Sequence, residues 1–386
     1  MFSNLPCGEE AVSSFVEVLK RDLPDPRDNR GKRHSLVLVV VAFVLATLTG
    51  RLKLSSVHRF ICNRLDWLRG LTGLPKGRPV SRAHLPRLLA GLDWPALDGL
   101  IERCFGVRIQ SRSDRGWVAV DGKTLRGALE GGEKQGLVMA VAHGTGEVVG
   151  QSRQTGSKSS EIPVVRELLG ETGLDGCKVS LDAHHCNPKT TAQIHQAGGV
   201  YLTQAKANQV VLLRQCQAAV ESEPALAEAT EYDKAHGRVT TRRARLFPLP
   251  ETVPAPRWSQ SGLSACVVVE RGTFEAATGK TTAETSYYIG NQVIDRDAPQ
   301  AAVAELAQAI RQRWGVESNN WIRDATFDED NIKTKSGNQA QIMGRLRSLA
   351  IELLRKTQTK NFQAAIEKFV DSAFELESML RQVNFL

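Results

Sequence analysis

The sequence has few cysteines, and it has no apolar stretch long enough to cross a membrane. Its 386 residues include seven cysteines, which are widely spaced and form no Cys-x-x-Cys pair. An odd number with this spacing argues against a disulfide framework or a zinc ribbon and favours reduced thiols. The longest apolar run, residues 36–49, has about 14 residues, whereas a membrane-spanning helix needs about 20. The first 30 residues are polar, so we expect no signal peptide there. We therefore expect a cytoplasmic protein without a membrane partner.

Size and charge narrow the class of protein further. Charged residues make up 24% and hydrophobic residues 41% of the chain, as in ordinary globular proteins. The 50 Lys and Arg residues exceed the 42 Asp and Glu residues, so the formal net charge is +8. A positive balance of this kind favours a polyanionic partner such as nucleic acid. The length is sufficient for two or three domains, each with its own core.

Residues 1–110 have the apolar spacing of helices. An apolar helix is predicted at residues 36–49, and amphipathic helices are predicted at residues 55–68 and 82–92. A basic cluster that begins at Arg27 and ends at His34 precedes the first of these helices. The sequence therefore predicts a small all-helical domain. Its basic cluster suggests contact with DNA, although a solvated charged surface is an equally good interpretation.

From Gly116 onwards the apolar pattern becomes that of strands. Three consecutive strands are followed by a helix, a strand, a helix and a further strand, which ends at Lys206. This order predicts an α/β protein with a mixed five-stranded sheet flanked by helices, as in the RNase H-like fold. The predicted segments are an N-terminal helical domain (1–110), the first part of the core (111–206), a β-rich insertion (207–298) and a catalytic helix with C-terminal helices (299–386).

The first predicted strand ends at a carboxylate. The apolar run from Trp117 stops at Asp121, and Gly122 is expected to let the backbone turn there. A charge at the end of a buried strand is unfavourable unless a cation lies nearby. Lys123 and Arg126 are the ordinary candidates for that cation, and a divalent metal ion is the functional one.

Two more carboxylates, like that of Asp121, are expected to be buried. The strand over residues 177–182 ends at Asp182. Glu317 is placed on the buried stripe of one long helix over residues 299–319, because it continues the spacing of the apolar residues before it. An ordinary salt bridge with Arg313, at i−4, remains an alternative for Glu317. Three other acidic residues are interpreted as helix caps or solvated charges: Glu161, Asp324 and Glu329.

Carboxylate oxygens are suitable ligands for Mg²⁺ or Mn²⁺. Two such ions activate a nucleophilic oxygen and stabilise the leaving oxygen in phosphodiester chemistry. Asp121, on the first strand, is the natural bridge between them.

Several motifs resemble one protein family. They include VDGKTLRG at residues 120–127, LDAHH at residues 181–185, and RWGVE followed by WIRDATFDED within residues 313–330. Shorter similarities occur at residues 157–162 (SKSSEI) and 204–209 (QAKANQ). Together they resemble the DDE transposases of bacterial insertion sequences, of the H-repeat-associated type, over nearly the whole chain.

The resemblance implies a DNA transposase that cleaves transposon ends and joins them to target DNA with two Mg²⁺ or Mn²⁺ ions. Asp121, Asp182 and Glu317 would be the catalytic residues and metal ligands. A homodimer on DNA, located in the cytoplasm with the nucleoid, is also implied. The expected DNA-contacting residues are Lys123, Arg126, Lys158, His185, Lys206, Asn208, Arg238, Arg311, Arg313 and Trp321.

The last motif departs from the family pattern. Arg313 and Ser318 replace a His and an Asn, and the run from Glu317 to Trp321 is one residue short. Because one residue corresponds to a rotation of about 100° on a helix, this change alters the direction of the side chains after Glu317. It motivates two alternatives: a transposase-derived DNA-binding protein without strand-transfer activity, and a metal-dependent nuclease of repair or defence.

Overall fold

The computed structural model describes residues 13–28, 32–74, 78–105, 116–155, 161–171, 176–235, 237–249 and 256–386. Its internal contacts divide the chain into two compact units. The first, here called the helical unit, comprises Met1–Val107, Leu125–Gly132 and Arg323–Leu386. The second, here called the sheet unit, comprises Arg108–Thr124 and Glu133–Ile322.

The helical unit is organised around two buried helices, α2 (Leu36–Leu48) and α12 (Gly337–Lys356). Helix α2 is buried on nearly every side because almost all of its residues are apolar. The amphipathic helix predicted at residues 55–68 is instead two helices that meet at Arg64. The other helices of this unit are α1 (Phe15–Asp22), α3 (Leu54–Asn63), α4 (Leu65–Thr72), α5 (Leu85–Ala90), α6 (Trp94–Phe105), α13 (Phe362–Asp371) and α14 (Ala373–Gln382).

The sheet unit contains one sheet of nine strands, which are β1 (Trp117–Glu130), β2 (Glu133–Ala142), β3 (Val148–Thr155), β4 (Lys178–Leu181), β5 (Val200–Ala205), β6 (Ala227–Ala235), β7 (Arg238–Pro248), β8 (Ala265–Glu275) and β9 (Thr281–Gly290). Their order in the sheet is β3-β2-β1-β4-β5-β9-β8-β7-β6. The predicted count of five is therefore wrong. Four strands from the segment predicted as an insertion join the same sheet, because β9 pairs with the edge of β5.

Strand directions divide this sheet into two parts. Strands β1, β4 and β5 run parallel to one another. The pairs from β5 to β9 and onwards to β6 are antiparallel, as is the β2–β3 pair. Parallel pairs need crossover connections, which helices normally supply. Here they are α7 (Glu161–Glu171) and α8 (Pro188–Gln196).

Helices cover both faces of the sheet. Val118 and Val120 belong to a core with residues of α7, α8 and α9 (Val210–Ser222). Trp117, which points to the opposite side because strand side chains alternate, belongs to a second core with α10 (Pro299–Arg313). Among the described helices, none has both the length and the apolar character that crossing a membrane requires.

The helix predicted over residues 299–319 is interrupted. Helix α10 ends at Arg313, the backbone turns at Trp314, and α11 (Gly315–Ala325) begins directly afterwards. The Trp314 N–H donates to Arg311 O at 3.3 Å, a tightened final turn. The exposed surface begins at the break itself, because Trp314 is 48% exposed. Glu317 is exposed as well, so its predicted place on a buried stripe is wrong.

Candidate active site

The register of two parallel strands brings two predicted carboxylates together. Val120 of β1 is paired with Leu181 of β4, and this pair is the last of the register. Asp121 and Asp182 follow it on adjacent strands, which lie about 4.8 Å apart in a sheet. Strand β1 itself continues to Glu130, so the turn predicted at Gly122 is absent. The two aspartates therefore meet where the β1–β4 pairing stops.

Local hydrogen bonds hold the backbone around Asp182. Its Oδ1 accepts a hydrogen bond from the backbone N–H of His185 at 3.1 Å, which caps a single 3-10 turn. Thr203 on β5 donates its hydroxyl to Asp182 O at 2.9 Å. Asn208 donates to Ala183 O at 2.6 Å. Asn208 was predicted to contact DNA, and this bond shows that it also fixes the loop after Asp182.

The surroundings of the Asp121 carboxylate do not offset its negative charge. Burial raises the pKa of its carboxyl to about 6, and the charges of Asp182 and Glu161 add to that effect. A paired cation would lower the pKa instead. A polar neighbour is Asn320, whose Nδ2 donates to Asp121 Oδ2 at 3.4 Å. Arg126, a candidate partner from the sequence, is bonded to Asp330 at 3.1 Å.

Glu161 was missed by sequence reasoning, which interpreted it as a cap or a solvated charge. The residue is 3% exposed in the first turn of α7. Its Oε1 accepts a hydrogen bond from Nε2 of His185 at 2.7 Å. A Cβ atom added to Gly122 would lie 2.2 Å from the Glu161 Cδ. Gly122 therefore makes room for this carboxylate. A signal was present in the sequence, because Glu161 lies in one of the family-like motifs.

A cavity of about 930 Å³ opens onto the aspartate pair. Glu317 lines it, so all three predicted carboxylates face the same space although Glu317 lies on an exposed surface. Within the described ranges, no ion pair joins Glu317 to Arg313, which was the ordinary alternative for this acid. Five basic side chains also line the cavity: Lys206, Arg242, Arg271, Arg311 and Arg313.

Three of these arginines differ in the contacts that compensate their positive charge. Arg311 is bonded to Glu231 at 2.7 Å and to Asp233 at 3.3 Å. Arg271 lies over the ring of Trp314, 5.9 Å from its centroid. The Arg313 Nε atom, like that of Arg271, is buried without a hydrogen-bond partner among the described residues. Its charge acts, after burial, to lower the pKa of His143 to about 4. Arg313 is thus the cavity arginine with the least compensation among these three.

Two residues that were predicted to contact DNA are buried in this structure. His185 is fully buried and Lys123 is 7% exposed, so neither side chain presents a surface to DNA. Both follow an aspartate closely in sequence, and the fold turns them inwards instead.

Other predicted DNA contacts remain accessible or lie outside the described part. Trp321 is 67% exposed, and Lys206 is exposed beside the cavity. Arg238 is paired with Glu275 on the neighbouring strand at 2.9 Å. Lys158 lies outside the described residues.

The oxygen atoms around the aspartate pair are suitable ligands for a divalent cation, although the described side chains are not close enough together to form a complete metal site. Asp121, Asp182 and Asn320 offer oxygen atoms, which Mg²⁺ and Mn²⁺ prefer. In the described part of the chain, no three His, Cys, Asp or Glu side chains lie close enough together to hold an ion. Mg²⁺ is commonly bound by one or two carboxylates, with water and substrate phosphates completing its shell. The uncompensated aspartate pair satisfies that requirement.

Two family models match the chain. The model described as "Transposase DDE domain" matches residues 112–351, and the one described as "DDE_Tnp_1-associated" matches residues 17–105. The first match includes Asp121, Asp182 and Glu317.

Individual relatives agree with these matches. "H repeat-associated putative transposase YhhI" of Escherichia coli K12 is 28% identical over 365 residues, covering 90% of this chain and 91% of that protein. "Putative transposase YncI" of Escherichia coli O157:H7 is 27% identical over 363 residues, covering 90% of this chain and 87% of that protein. The similarity therefore extends over both units of the chain.

Proposed function

The chain belongs to the DDE transposases of the H-repeat type, and from that membership we propose that it cleaves transposon ends and joins them to target DNA. The observation that carries the proposal is the pairing of Asp121 and Asp182 at the end of the β1–β4 register, with a raised pKa at Asp121. Such a cluster of like charges is unfavourable for folding alone, so it indicates a site that binds a cation.

We propose that Asp121 and Asp182 hold the divalent ions, Mg²⁺ or Mn²⁺, and that Glu317 completes the ligand set. These ions supply Lewis-acid stabilisation of charge on the phosphodiester oxygens. Because Glu317 lines the same cavity but lies on an exposed surface, this role requires α11 to bring it towards the aspartates when DNA binds. The helix break at Trp314 is the position at which we propose that this movement takes place.

The reaction proposed has two steps. Water attacks the phosphorus at a transposon end, the P–O3′ bond breaks, and a 3′-hydroxyl and a 5′-phosphate result. The 3′-hydroxyl then attacks a target phosphodiester, forming one P–O bond and breaking another. Arg313 and Lys206 bind backbone phosphates through charge, and the exposed Trp321 stacks on bases at the end.

The architecture proposed for this activity follows from the same membership. Strands β1 to β5 form an RNase H-like core, extended by the strands of residues 207–298. The four predicted segments, the homodimer on DNA and the nucleoid location remain proposals.

The experiment is cleavage of DNA that carries the terminal repeats of the element, in Mg²⁺ and in Mn²⁺. Asp121→Ala, Asp182→Ala and Glu317→Ala should each lower cleavage by about 1,000-fold or more, the equivalent of about 4 kcal/mol in the barrier. Cleavage that survives Asp121→Ala would refute the proposal. Nicking without preference for terminal repeats would instead identify a general nuclease.

A second candidate rests on Glu317. Because Glu317 is exposed and the run after it is short, the alternative is a transposase-derived DNA-binding protein without strand-transfer activity. It predicts specific binding to terminal repeats with no cleavage in either metal, and no change in binding for Glu317→Ala.

A further inference from the structure

The buried pair of Glu161 and His185 lies directly behind the aspartates. Glu161 is 3% exposed and His185 is fully buried, and 2.7 Å separate Oε1 of the first from Nε2 of the second. The other ring nitrogen, Nδ1, is buried and has no hydrogen-bond partner in the described part of the chain. The ring is therefore held through its bond to Glu161 and not by a second hydrogen bond from Nδ1.

This pair connects the two chain segments that carry the aspartates. On one side, the Glu161 carboxylate packs on Gly122, the residue after Asp121, at a distance that leaves no room for a Cβ atom. On the other side, the backbone N–H of His185 donates to Asp182 Oδ1 at 3.1 Å, and its Nε2 lies 3.9 Å from the same oxygen. One acidic side chain thus contacts the neighbours of both aspartates.

A purely structural role does not account for the choice of an acid here. Burying a carboxylate is costly, and in this place it adds a third negative charge beside Asp121 and Asp182. A neutral Gln would accept the same hydrogen bond from His185 with less repulsion. The unfavourable choice indicates that the charge and the position of this carboxylate serve the aspartate pair.

We propose that Glu161 is a positioning residue which, through His185 and through its packing on Gly122, sets the relative placement of Asp121 and Asp182 and thereby their affinity for a divalent cation. The inference rests on the proposed function, since it concerns the same site. Groups that hold metal ligands in place commonly contribute 10–100-fold to metal affinity, because they orient the ligands before the ion arrives.

The test measures Mn²⁺ binding to the full chain without DNA, by titration with detection of free Mn²⁺ by electron paramagnetic resonance. Glu161→Ala should weaken binding about 10–100-fold. Glu161→Gln keeps the shape and the hydrogen-bond acceptor but removes the charge, so it should weaken Mn²⁺ binding by a measurable factor that is smaller than the loss for Glu161→Ala. This conservative variant also serves if Glu161→Ala fails to fold.

Gly122→Ala provides an independent way to displace the same carboxylate. The new Cβ would collide with Glu161, so we expect a loss of Mn²⁺ affinity close to that of Glu161→Ala, without any change in polar groups. The double variant Gly122→Ala with Glu161→Ala should be no weaker than Glu161→Ala alone, because the collision is removed. Additive losses would overturn the proposed coupling.

The matched control is Glu329→Ala, which breaks a buried acid–base pair of the helical unit. Arg323 and Glu329 are 1% and 0% exposed. This variant should lower the unfolding temperature and leave Mn²⁺ affinity unchanged. If Glu161→Ala behaves in the same way while Asp121→Ala weakens Mn²⁺ binding, Glu161 is only structural and the inference fails alone. If Asp121→Ala also leaves binding unchanged, the proposed function fails with it.

Discussion

Two buried carboxylates, one in each unit, show how differently a protein can compensate the same charge. Glu329 in the helical unit receives two hydrogen bonds from Arg323, both at 2.8 Å, and Arg323 also donates to Ser348. Glu161 in the sheet unit is bonded to a His and lies beside two aspartates. The first carboxylate is neutralised by the fold, and the second belongs to a cluster with excess negative charge. Burial alone therefore does not mark a functional acid, whereas uncompensated burial does.

The largest effect on stability is expected from breaking the neutralised pair. Glu329→Ala leaves the Arg323 guanidinium buried without its carboxylate, which should cost about 3–5 kcal/mol in the free energy of unfolding. Urea denaturation measures this loss. Glu329→Gln keeps part of the hydrogen bonding and should lose less. A change below about 1 kcal/mol for Glu329→Ala would show that the pair is open to solvent.

A substitution at the aspartate pair is expected to raise the free energy of unfolding, whereas Glu329→Ala lowers it. Asp121→Asn removes one of the repelling charges and should stabilise the metal-free protein at pH 7.5 by about 2 kcal/mol after allowance for screening. The pKa of Asp121 is about 6 in the folded protein against 3.8 ordinarily. The folded state therefore binds this proton more tightly than the unfolded state.

Because the pKa of Asp121 is higher in the folded protein than its ordinary value, the stabilisation by Asp121→Asn depends on pH. As the pH falls from above 6 to below about 4, Asp121 becomes protonated in the folded state first, and the wild type gains stability. The advantage of Asp121→Asn should accordingly disappear over this window. Urea denaturation at several pH values in a chelator measures it, with Asp66→Asn, whose side chain is 95% exposed, as the control. An advantage that does not change with pH would contradict the assignment.

A smaller effect is expected from the positive side of the cavity. Arg313→Ala should weaken binding to terminal-repeat DNA by about 1 kcal/mol and reduce the salt slope by about 1, because one phosphate contact is lost. Arg243, which is paired with Glu228, supplies the matched control for fluorescence-anisotropy titrations. Equal losses for Arg313→Ala and Arg243→Ala would show that net charge alone is measured.

The smallest change in the free energy of unfolding is expected for a substitution of Arg238, which was predicted to contact DNA. Its guanidinium is bonded to Glu275 on an exposed part of the sheet. Exposed pairs contribute about 0–1 kcal/mol, so Arg238→Ala should change the free energy of unfolding by less than about 0.5 kcal/mol. A loss of DNA affinity for Arg238→Ala as large as that for Arg313→Ala would show that Arg238 contacts DNA.

The fold was predictable where local pattern suffices and not where strands pair over long distances. The strand that begins at Trp117, the apolar helix from Leu36 and the two aspartates that each end an apolar run could be recognised from periodicity alone. The nine-stranded sheet could not, because the pairing of β9 with β5 joins residues far apart in sequence. The break of the predicted catalytic helix at Trp314 was also missed, since the apolar spacing continues through it.

Within the site, the sequence alone determined the residue types, their order and the family. Asp121 and Asp182 could be identified because each ends an apolar run, and the register of parallel strands then had to bring them together. Only the tertiary structure decided which other groups join them. Glu161 has the local sequence of a helix start, and its burial against Gly122 and His185 depends on the packing of α7 on the sheet. Glu317 is exposed three residues after the helix break at Trp314, although the apolar spacing continues through that break. Periodicity reports which side of its own element a residue faces, and it carries no information about which other element arrives there.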